Sequence, residues 1–187
     1  MRLILMGPPG AGKGTQAKVV ADQIGVPAIS TGDIFRANVA GGTELGRTAQ
    51  RYLDAGEYVP DEVTNAMMRD RLAQPDAESF VLDGYPRTAD QVDELDSILS
   101  DMGAKLDAAL LLVVNDREEL VQRMIKRAET SGRADDTEEV IRHRQDVYDQ
   151  ETATLVPIYR ERGLLREVDG IGPIDEIANR IDTALGL

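Results

Sequence analysis

The chain has 187 residues, of which 42% are hydrophobic, so it can form one α/β domain with small inserts but not two large domains. The 34 acidic residues outnumber the 21 basic ones and give a net charge of −13, which disfavours broad nucleic-acid binding. Cysteine is absent, which excludes disulfides, thiol nucleophiles and cysteine-based zinc sites.

The first predicted element is a strand at residues 3–6, followed directly by Gly-Pro-Pro-Gly-Ala-Gly-Lys-Gly-Thr at 7–15 and by a helix. Glycines allow backbone N–H groups to surround an anion, the helix N terminus adds partial positive charge, and Lys13 can reach the β- and γ-phosphates. A flexible glycine-rich turn could match this pattern by chance, but the position between a buried strand and an amphipathic helix argues against it. We therefore predict that the chain binds a nucleoside triphosphate.

The later predicted strands are the apolar runs at residues 26–29, 80–82, 108–114 and 164–168. Helical patterns lie between them, and this alternation predicts a mostly parallel sheet with helices on both faces. Residues 30–60 and 127–137 fit the alternation poorly. They are either ordinary loops or inserts that move over a bound ligand, and their arginine and threonine content favours inserts.

The remaining features of the chain favour a cytoplasmic protein without membrane contact. Residue 1 leads straight into the first strand, with no room for a signal peptide, and no apolar run approaches the roughly 20 residues of a membrane-spanning helix. The single histidine, His143, lies between two arginines in a predicted helix, and we expect it to be a solvated surface residue.

Polar segments follow the second and third predicted strands. They read Ser-Thr-Gly-Asp-Ile-Phe-Arg at 30–36 and Asp-Gly-Tyr-Pro-Arg at 83–87, with Gln91 four residues further on. Ligands bind an open α/β sheet beyond the carboxyl ends of its strands, so we expect both segments to share one crevice with the phosphate loop. Each segment alone would also make an ordinary turn.

Taken together, these segments resemble the adenylate kinase family in its short-lid form, and the resemblance extends from end to end. It rests on residues 7–16, 30–36, 83–87, 127–136 and Arg144 in the family's order and spacing. The resemblance implies a three-layer P-loop fold with a five-stranded parallel sheet, in which residues 1–29, 60–126 and 138–187 form the core. It further implies an AMP-binding insert at 30–59 and a short lid at 127–137.

The same resemblance implies a monomer that catalyses ATP + AMP ⇌ 2 ADP with Mg²⁺. No zinc is expected, because the cysteine-bearing segment of long-lid relatives has no counterpart in this sequence. The implied ATP-binding residues are Gly10, Ala11, Gly12, Lys13, Gly14, Thr15, Arg123, Arg127 and Gly172. The implied AMP-binding residues are Thr31, Arg36, Glu57, Tyr58, Val59, Gly84, Tyr85, Pro86, Arg87, Gln91, Arg133 and Arg144.

The implied catalytic residues are one lysine and five arginines: Lys13, Arg87, Arg123, Arg127, Arg133 and Arg144. Phosphoryl transfer depends on alignment and charge cancellation, and guanidinium forks hold phosphate oxygens in pairs. For any single arginine the alternative is an exposed salt bridge.

The metal is expected to contact the protein through water. The hydroxyl of Thr15 comes two residues after Lys13 rather than directly after it, so we expect no direct protein ligand there. Asp83 is expected to hold water around Mg²⁺, as the resemblance also implies. No general base is required, because the second pKa of the accepting phosphate is about 6.

The choice of nucleobase depends on Thr31 and Gln91, which match the residues that favour adenine in the family. A pyrimidine (UMP/CMP) kinase is the alternative enzyme. A nucleotide-dependent switch that performs no transfer is an alternative of another class. Residues 115–118, Asn-Asp-Arg-Glu, disfavour that class because they lack the Asn-Lys-x-Asp element of guanine-binding switches.

Overall fold

Five parallel strands form one sheet in the computed structural model, which describes residues 1–131 and 137–187. The strands are β1 (Arg2–Met6), β2 (Ala28–Ser30), β3 (Phe80–Asp83), β4 (Ala108–Val113) and β5 (Leu165–Asp169). Their order across the sheet is β2-β3-β1-β4-β5, with Ile4 of β1 opposite Leu82 on one side and Ala109 on the other. Because every strand runs the same way, all carboxyl ends lie at one edge of the sheet.

Helices connect the strands and cover both faces of the sheet. They are α1 (Lys13–Ile24), α2 (Thr31–Ala40), α3 (Glu44–Ala55), α4 (Asp61–Leu72), α5 (Ala89–Asp101), α6 (Arg117–Ser131), α7 (Glu138–Val147), α8 (Val156–Glu161) and α9 (Ile174–Leu185). Between α7 and α8 the chain forms a π-helical turn, Tyr148–Thr152, and a short 3₁₀ turn, Ala153–Leu155. In the described part of the chain, no helix is long and apolar enough to cross a membrane.

The hydrophobic core lies in two layers, one on each face of the sheet. On one face, Ile4 of β1 and Leu82 of β3 pack with Leu95 of α5. On the other face, Leu5 of β1 packs with residues of α1 and α9. Strands buried on both faces need apolar residues at every position, which is why β1 and β4 read as continuous apolar runs. The predicted fold class, a parallel sheet between two layers of helices, is confirmed.

The second strand begins two residues later than its apolar run predicts. The αL conformation of Gly25 ends α1, and the N–H of Val26 donates to the carbonyl oxygen of Ala21. Val26 therefore belongs to the turn that closes α1, and the strand begins at Ala28.

Of the two stretches that fit the strand–helix alternation poorly, the first is largely helical and the second begins on a helix. Residues 30–60 contain α2 and α3, which enclose a small core of Phe35, Ala49 and Val59. Helix α6 continues through Ser131, so Arg127 lies on a helix rather than in a loop. Residues 132–136, the middle of the expected lid, lie outside the described residues.

Helices α2 and α3 approach each other most closely at Gly46. A Cβ at this position would lie 2.1 Å from the carbonyl oxygen of Asn38, a backbone atom that cannot rotate away. We expect Gly46→Ala to lower the free energy of unfolding by about 2 kcal/mol, because overpacked contacts typically cost that much. Urea denaturation followed by circular dichroism measures the change.

A suitable control is Gly41→Ala at the end of α2. Gly41 has an ordinary φ of −79°, and a Cβ there would lie no closer than 3.3 Å to the nearest of its neighbours. We expect this variant to unfold within about 1 kcal/mol of the parent protein. Equal stability of the two alanine variants would contradict the proposed close packing at Gly46.

Candidate active site

The loop between β1 and α1 has the backbone shape of an anion-binding site. Gly10 and Gly12 have φ values of 87° and 91°, a region that side chains disfavour, and a Cβ on Gly10 would lie 2.7 Å from the carbonyl oxygen of Leu120. Helix α1 has neither a side-chain cap nor an acidic residue in its first turn. Its N terminus therefore offers backbone N–H groups and partial positive charge to a ligand.

Lys13 folds back over this loop. Its Nζ donates hydrogen bonds to the carbonyl oxygens of Gly7, at 2.7 Å, and Pro8, at 3.0 Å. The pKa of Lys13 is lowered from 10.5 to about 8, chiefly because the ammonium group is buried; Asp83 raises this pKa, and Arg87 and Arg127 contribute to lowering it. The ammonium group thus lies in a site that already carries positive charge, which a polyanionic ligand would neutralise.

A cavity of about 610 Å³ opens beside the loop, at the carboxyl ends of β1, β2 and β3. Within the described residues, all the predicted site residues line it except Ala11, Tyr85 and Gly172. Asp83 lies on its wall, where Ser30 Oγ donates to Asp83 Oδ2 at 3.4 Å. The predicted phosphate loop, the nucleotide segments and the predicted arginines within the described part of the chain therefore share one crevice.

Three predicted residues lie outside the cavity wall, each for a different reason. Ala11 is buried within the loop, where its N–H donates to the carbonyl oxygen of Pro8. Tyr85 points into the core, 1% exposed, with its hydroxyl donating to Asn65 Oδ1 at 2.8 Å, and burial raises its pKa. Gly172 is exposed just before α9, with a φ of 131°.

The arginines reach the cavity from separate elements. Arg36 of α2 is paired with Asp33 at 2.6 Å, and Arg123 of α6 is paired with Glu119 one turn earlier. Arg127 also comes from α6. Exposed pairs of this kind contribute little stability, so a phosphate can replace the carboxylate at small cost.

Two further arginines are held by backbone carbonyl groups. Arg144 of α7 donates from Nη2 to the carbonyl oxygen of Leu53 at 3.1 Å. Arg87 donates from Nε to the carbonyl oxygen of Gly84 at 2.8 Å. Arg133, the remaining predicted arginine, lies outside the described residues.

The part of the cavity wall that follows β2 and β3 is fixed by side-chain hydrogen bonds. Thr31 Oγ1 donates to the carbonyl oxygen of Gly84 at 2.9 Å. Gln91, 1% exposed, accepts the N–H of Arg87 through Oε1 and donates from Nε2 to Asp61 Oδ1 at 2.6 Å. Asp61 thus orients the amide that was predicted to read the adenine edge.

His143 is on the surface, as expected, although it is not simply solvated. Its Nε2 lies 2.6 Å from Oε1 of Glu57, and both side chains are more than two-fifths exposed. Glu57 is one of the predicted nucleotide-binding residues, so the exposed pair lies at the rim of the cavity.

Sequence reasoning missed Gln145 and Thr152, which lie close together in the chain after the expected lid. Gln145, 2% exposed, donates from Nε2 to the carbonyl oxygen of Pro9 at 2.8 Å, and thereby ties α7 to the phosphate loop. Thr152 Oγ1 donates to the carbonyl oxygen of Arg87 at 3.0 Å. No local pattern signals either role, because each depends on a partner more than 60 residues away.

The adenylate kinase family model matches residues 5–164, which include the end of β1, all of β2, β3 and β4, and the described residues that line the cavity. The chain belongs to the adenylate kinase family. It is therefore a P-loop phosphotransferase of the nucleoside monophosphate kinase class.

Curated adenylate kinases from bacteria are similar over nearly their whole length. The chain is 61% identical to the adenylate kinase of Nocardioides sp. over 99% of this chain and 97% of the relative. It is 57% identical to that of Thermobifida fusca, covering 99% and 98% of the two chains, and 59% identical to that of Kocuria rhizophila, covering 98% of each.

The lowered pKa of Lys13 predicts a pH dependence of triphosphate binding. Lys13 keeps its proton below about pH 8 and loses it above, whereas a bound polyphosphate favours the protonated form. ATP affinity should therefore be highest below pH 8 and fall by up to about tenfold per pH unit above it. The terminal phosphate, with a pKa of about 6, is already ionised throughout this range.

Isothermal titration with ATP from pH 7 to pH 9.5 measures this dependence. Lys13→Met carries no charge at any pH, so it should bind ATP more weakly and with a flat profile over the same range. A wild-type affinity that stays constant across the range would contradict the assignment to Lys13.

Proposed function

We propose that this member of the adenylate kinase family transfers the γ-phosphoryl group of ATP to AMP, reversibly, to give two molecules of ADP. The observation that carries the proposal is the convergence of the phosphate loop, Lys13 and arginines from α2, α6, α7 and the loop after β3 on one cavity.

The cavity supplies a place for each nucleotide. ATP binds with its phosphates in the loop around Gly12 and Lys13, where the N terminus of α1 favours negative charge. AMP binds on the opposite wall, with its phosphate on Arg36 and Arg87 and its base beside residues 57–59 and Gln91. Arg123, Arg127, Arg133 and Arg144 surround the transferred group.

In the reaction, an oxygen of the AMP phosphate forms a bond to the γ-phosphorus of ATP while the bond to the β,γ-bridging oxygen breaks. The attacking phosphate is already ionised at neutral pH, so no side chain has to remove a proton. The protein aligns the two nucleotides and cancels the charge that develops on the equatorial and bridging oxygens. The guanidinium groups perform this second task because each can donate two parallel hydrogen bonds.

Mg²⁺ fits this site as a companion of the nucleotide rather than as a protein-bound ion. Among the described residues there is no cluster of three carboxylate or histidine side chains that could hold a metal. Asp83 lies 3.3 Å from a Cβ placed on Gly14, close enough to the phosphate loop to hold metal-bound water. When bound, the metal neutralises part of the phosphate charge.

AMP is the proposed acceptor rather than UMP or CMP. The family description and the names of the relatives favour adenylate and do not favour the pyrimidine alternative. We further propose that residues 30–59 form the AMP-binding insert, that 127–137 form the lid, and that the protein is a cytoplasmic monomer.

A coupled assay with ATP and each of AMP, CMP, UMP and GMP tests the proposed function. We expect rapid turnover with AMP alone and the formation of two ADP per AMP consumed. An absence of turnover with AMP refutes the proposal, and a much higher kcat/KM with CMP or UMP would establish the pyrimidine alternative.

Replacing Arg87 by lysine tests the proposed role of its guanidinium fork. Arg87→Lys keeps the charge but loses one of two parallel hydrogen bonds, so we expect kcat/KM for AMP to fall at least about tenfold, or about 1.4 kcal/mol. Arg71→Lys is the matched control, because Arg71 pairs with Asp76 on the surface away from the cavity. Unchanged kinetics of Arg87→Lys would give Arg87 a structural role instead.

A further inference from the structure

The side chain of Tyr58 makes two contacts that its place in the sequence does not predict. Its ring lies against the guanidinium of Arg87, with 4.9 Å between the ring centroid and Cζ. Its hydroxyl lies 2.8 Å from Thr152 Oγ1. Thr152 Oγ1 in turn donates to the carbonyl oxygen of Arg87 at 3.0 Å. Tyr58 and Thr152 therefore contact both ends of the same arginine.

Arg87 differs from Arg36 and Arg123 in the chemistry of its partners. Arg36 and Arg123 are paired with carboxylates, whereas no carboxylate in the described part of the chain lies within 4 Å of the Arg87 guanidinium. Its partners are the carbonyl oxygen of Gly84 and the ring of Tyr58. An aromatic face attracts a cation through its quadrupole and leaves the charge in place.

The geometry of these contacts leaves the functional part of the guanidinium accessible. The carbonyl oxygen of Gly84 takes the Nε proton, and the ring of Tyr58 covers one flat face. Neither contact takes up the Nη edge, which is the edge that can donate two parallel hydrogen bonds to a phosphate. A side chain held in this way loses less conformational entropy when an anion binds.

We infer that Tyr58 is a positioning residue, which orients the guanidinium of Arg87 for the phosphate of the acceptor nucleotide through its ring. This inference rests on the proposed function, because it takes the Arg87 ligand to be the AMP phosphate. Thr152 fixes the backbone of Arg87 through a hydrogen bond to its carbonyl oxygen. The hydrogen bond between Thr152 and the Tyr58 hydroxyl helps to hold the ring against the guanidinium.

Two substitutions at Tyr58 separate the ring from the hydroxyl. Tyr58→Leu removes the aromatic face. We expect KM for AMP to rise about fivefold to thirtyfold, because this change corresponds to the loss of a cation–π contact of about 1 to 2 kcal/mol. KM for ATP should stay within about twofold. Tyr58→Phe keeps the ring and loses only the hydrogen bond to Thr152, so its KM for AMP should rise by no more than about threefold, which is less than in Tyr58→Leu.

A double-mutant cycle with Arg87 distinguishes positioning from a general structural effect. In an Arg87→Met background, Tyr58→Leu should cause no additional rise in KM for AMP, because the group that it positions is gone. A full additional rise in that background would overturn the inference. An equal rise in KM for AMP and for ATP in the single variant would also overturn it.

The matched control is a second tyrosine–arginine stack on α3. The Cζ of Arg51 lies 4.8 Å from the ring centroid of Tyr52, and neither residue lines the cavity. Tyr52→Leu should leave KM for both nucleotides within about twofold of wild type. Thermal denaturation of each variant establishes that it is folded at the assay temperature.

A pentafluorinated phenylalanine at position 58 provides a test that does not depend on the fold of Tyr58→Leu. Fluorination keeps the size of the ring but reverses the charge distribution on its face, so KM for AMP should rise above that of Tyr58→Phe. Equal KM values for the two rings would overturn the inference.

The results also separate failure of this inference from failure of the proposed function. If the wild-type protein fails to phosphorylate AMP, the proposed function itself fails. If the wild-type protein turns over AMP normally and only the Tyr58 results are negative, the inference alone fails.

Discussion

The site depends on concentrated positive charge in one cavity of a chain whose net charge is −13. Arg87 and Arg127 lie close enough to lower the pKa of Lys13, in addition to the larger effect of burial. Such a cluster is unfavourable without a ligand, and an anion relieves both the repulsion and the desolvation. The affinity for polyphosphate is therefore built into the folded protein before any nucleotide arrives.

The partners of these cations are of two chemical kinds. Lys13 and Arg87 are held by backbone carbonyl groups and an aromatic ring, which orient a cation without neutralising it. Arg36 and Arg123 are paired with carboxylates. Exposed ion pairs of that kind are worth at most about 1 kcal/mol, so Arg36 and Arg123 can change partner when a nucleotide binds.

One short stretch of chain connects the two walls of the cavity. In α7, Gln145 holds the carbonyl oxygen of Pro9 in the phosphate loop, and Arg144 reaches the end of α3 at Leu53. In the π-helical turn that follows, Thr152 holds the backbone of Arg87 and contacts Tyr58. The relative position of the phosphate loop and of the wall that carries Arg87 therefore depends on residues 144–152, which contact both. At the rim of the cavity, the exposed pair of His143 and Glu57 also joins α7 to the segment that follows α3.

The fold class, the phosphate loop and the set of segments that meet at one sheet edge could be predicted from the amino-acid sequence alone. Backbone burial, glycine conformations and strand-end positions are local properties, and they are indicated by apolar runs and by motifs such as Gly-Pro-Pro-Gly-Ala-Gly-Lys. The way in which each side chain is held is visible only in the folded protein: Tyr85 points into the core, Gln91 is oriented by Asp61, and Tyr58 lies against Arg87. These contacts join residues that are 20 or more positions apart, and no local pattern encodes which distant partner a side chain will meet once the chain has folded.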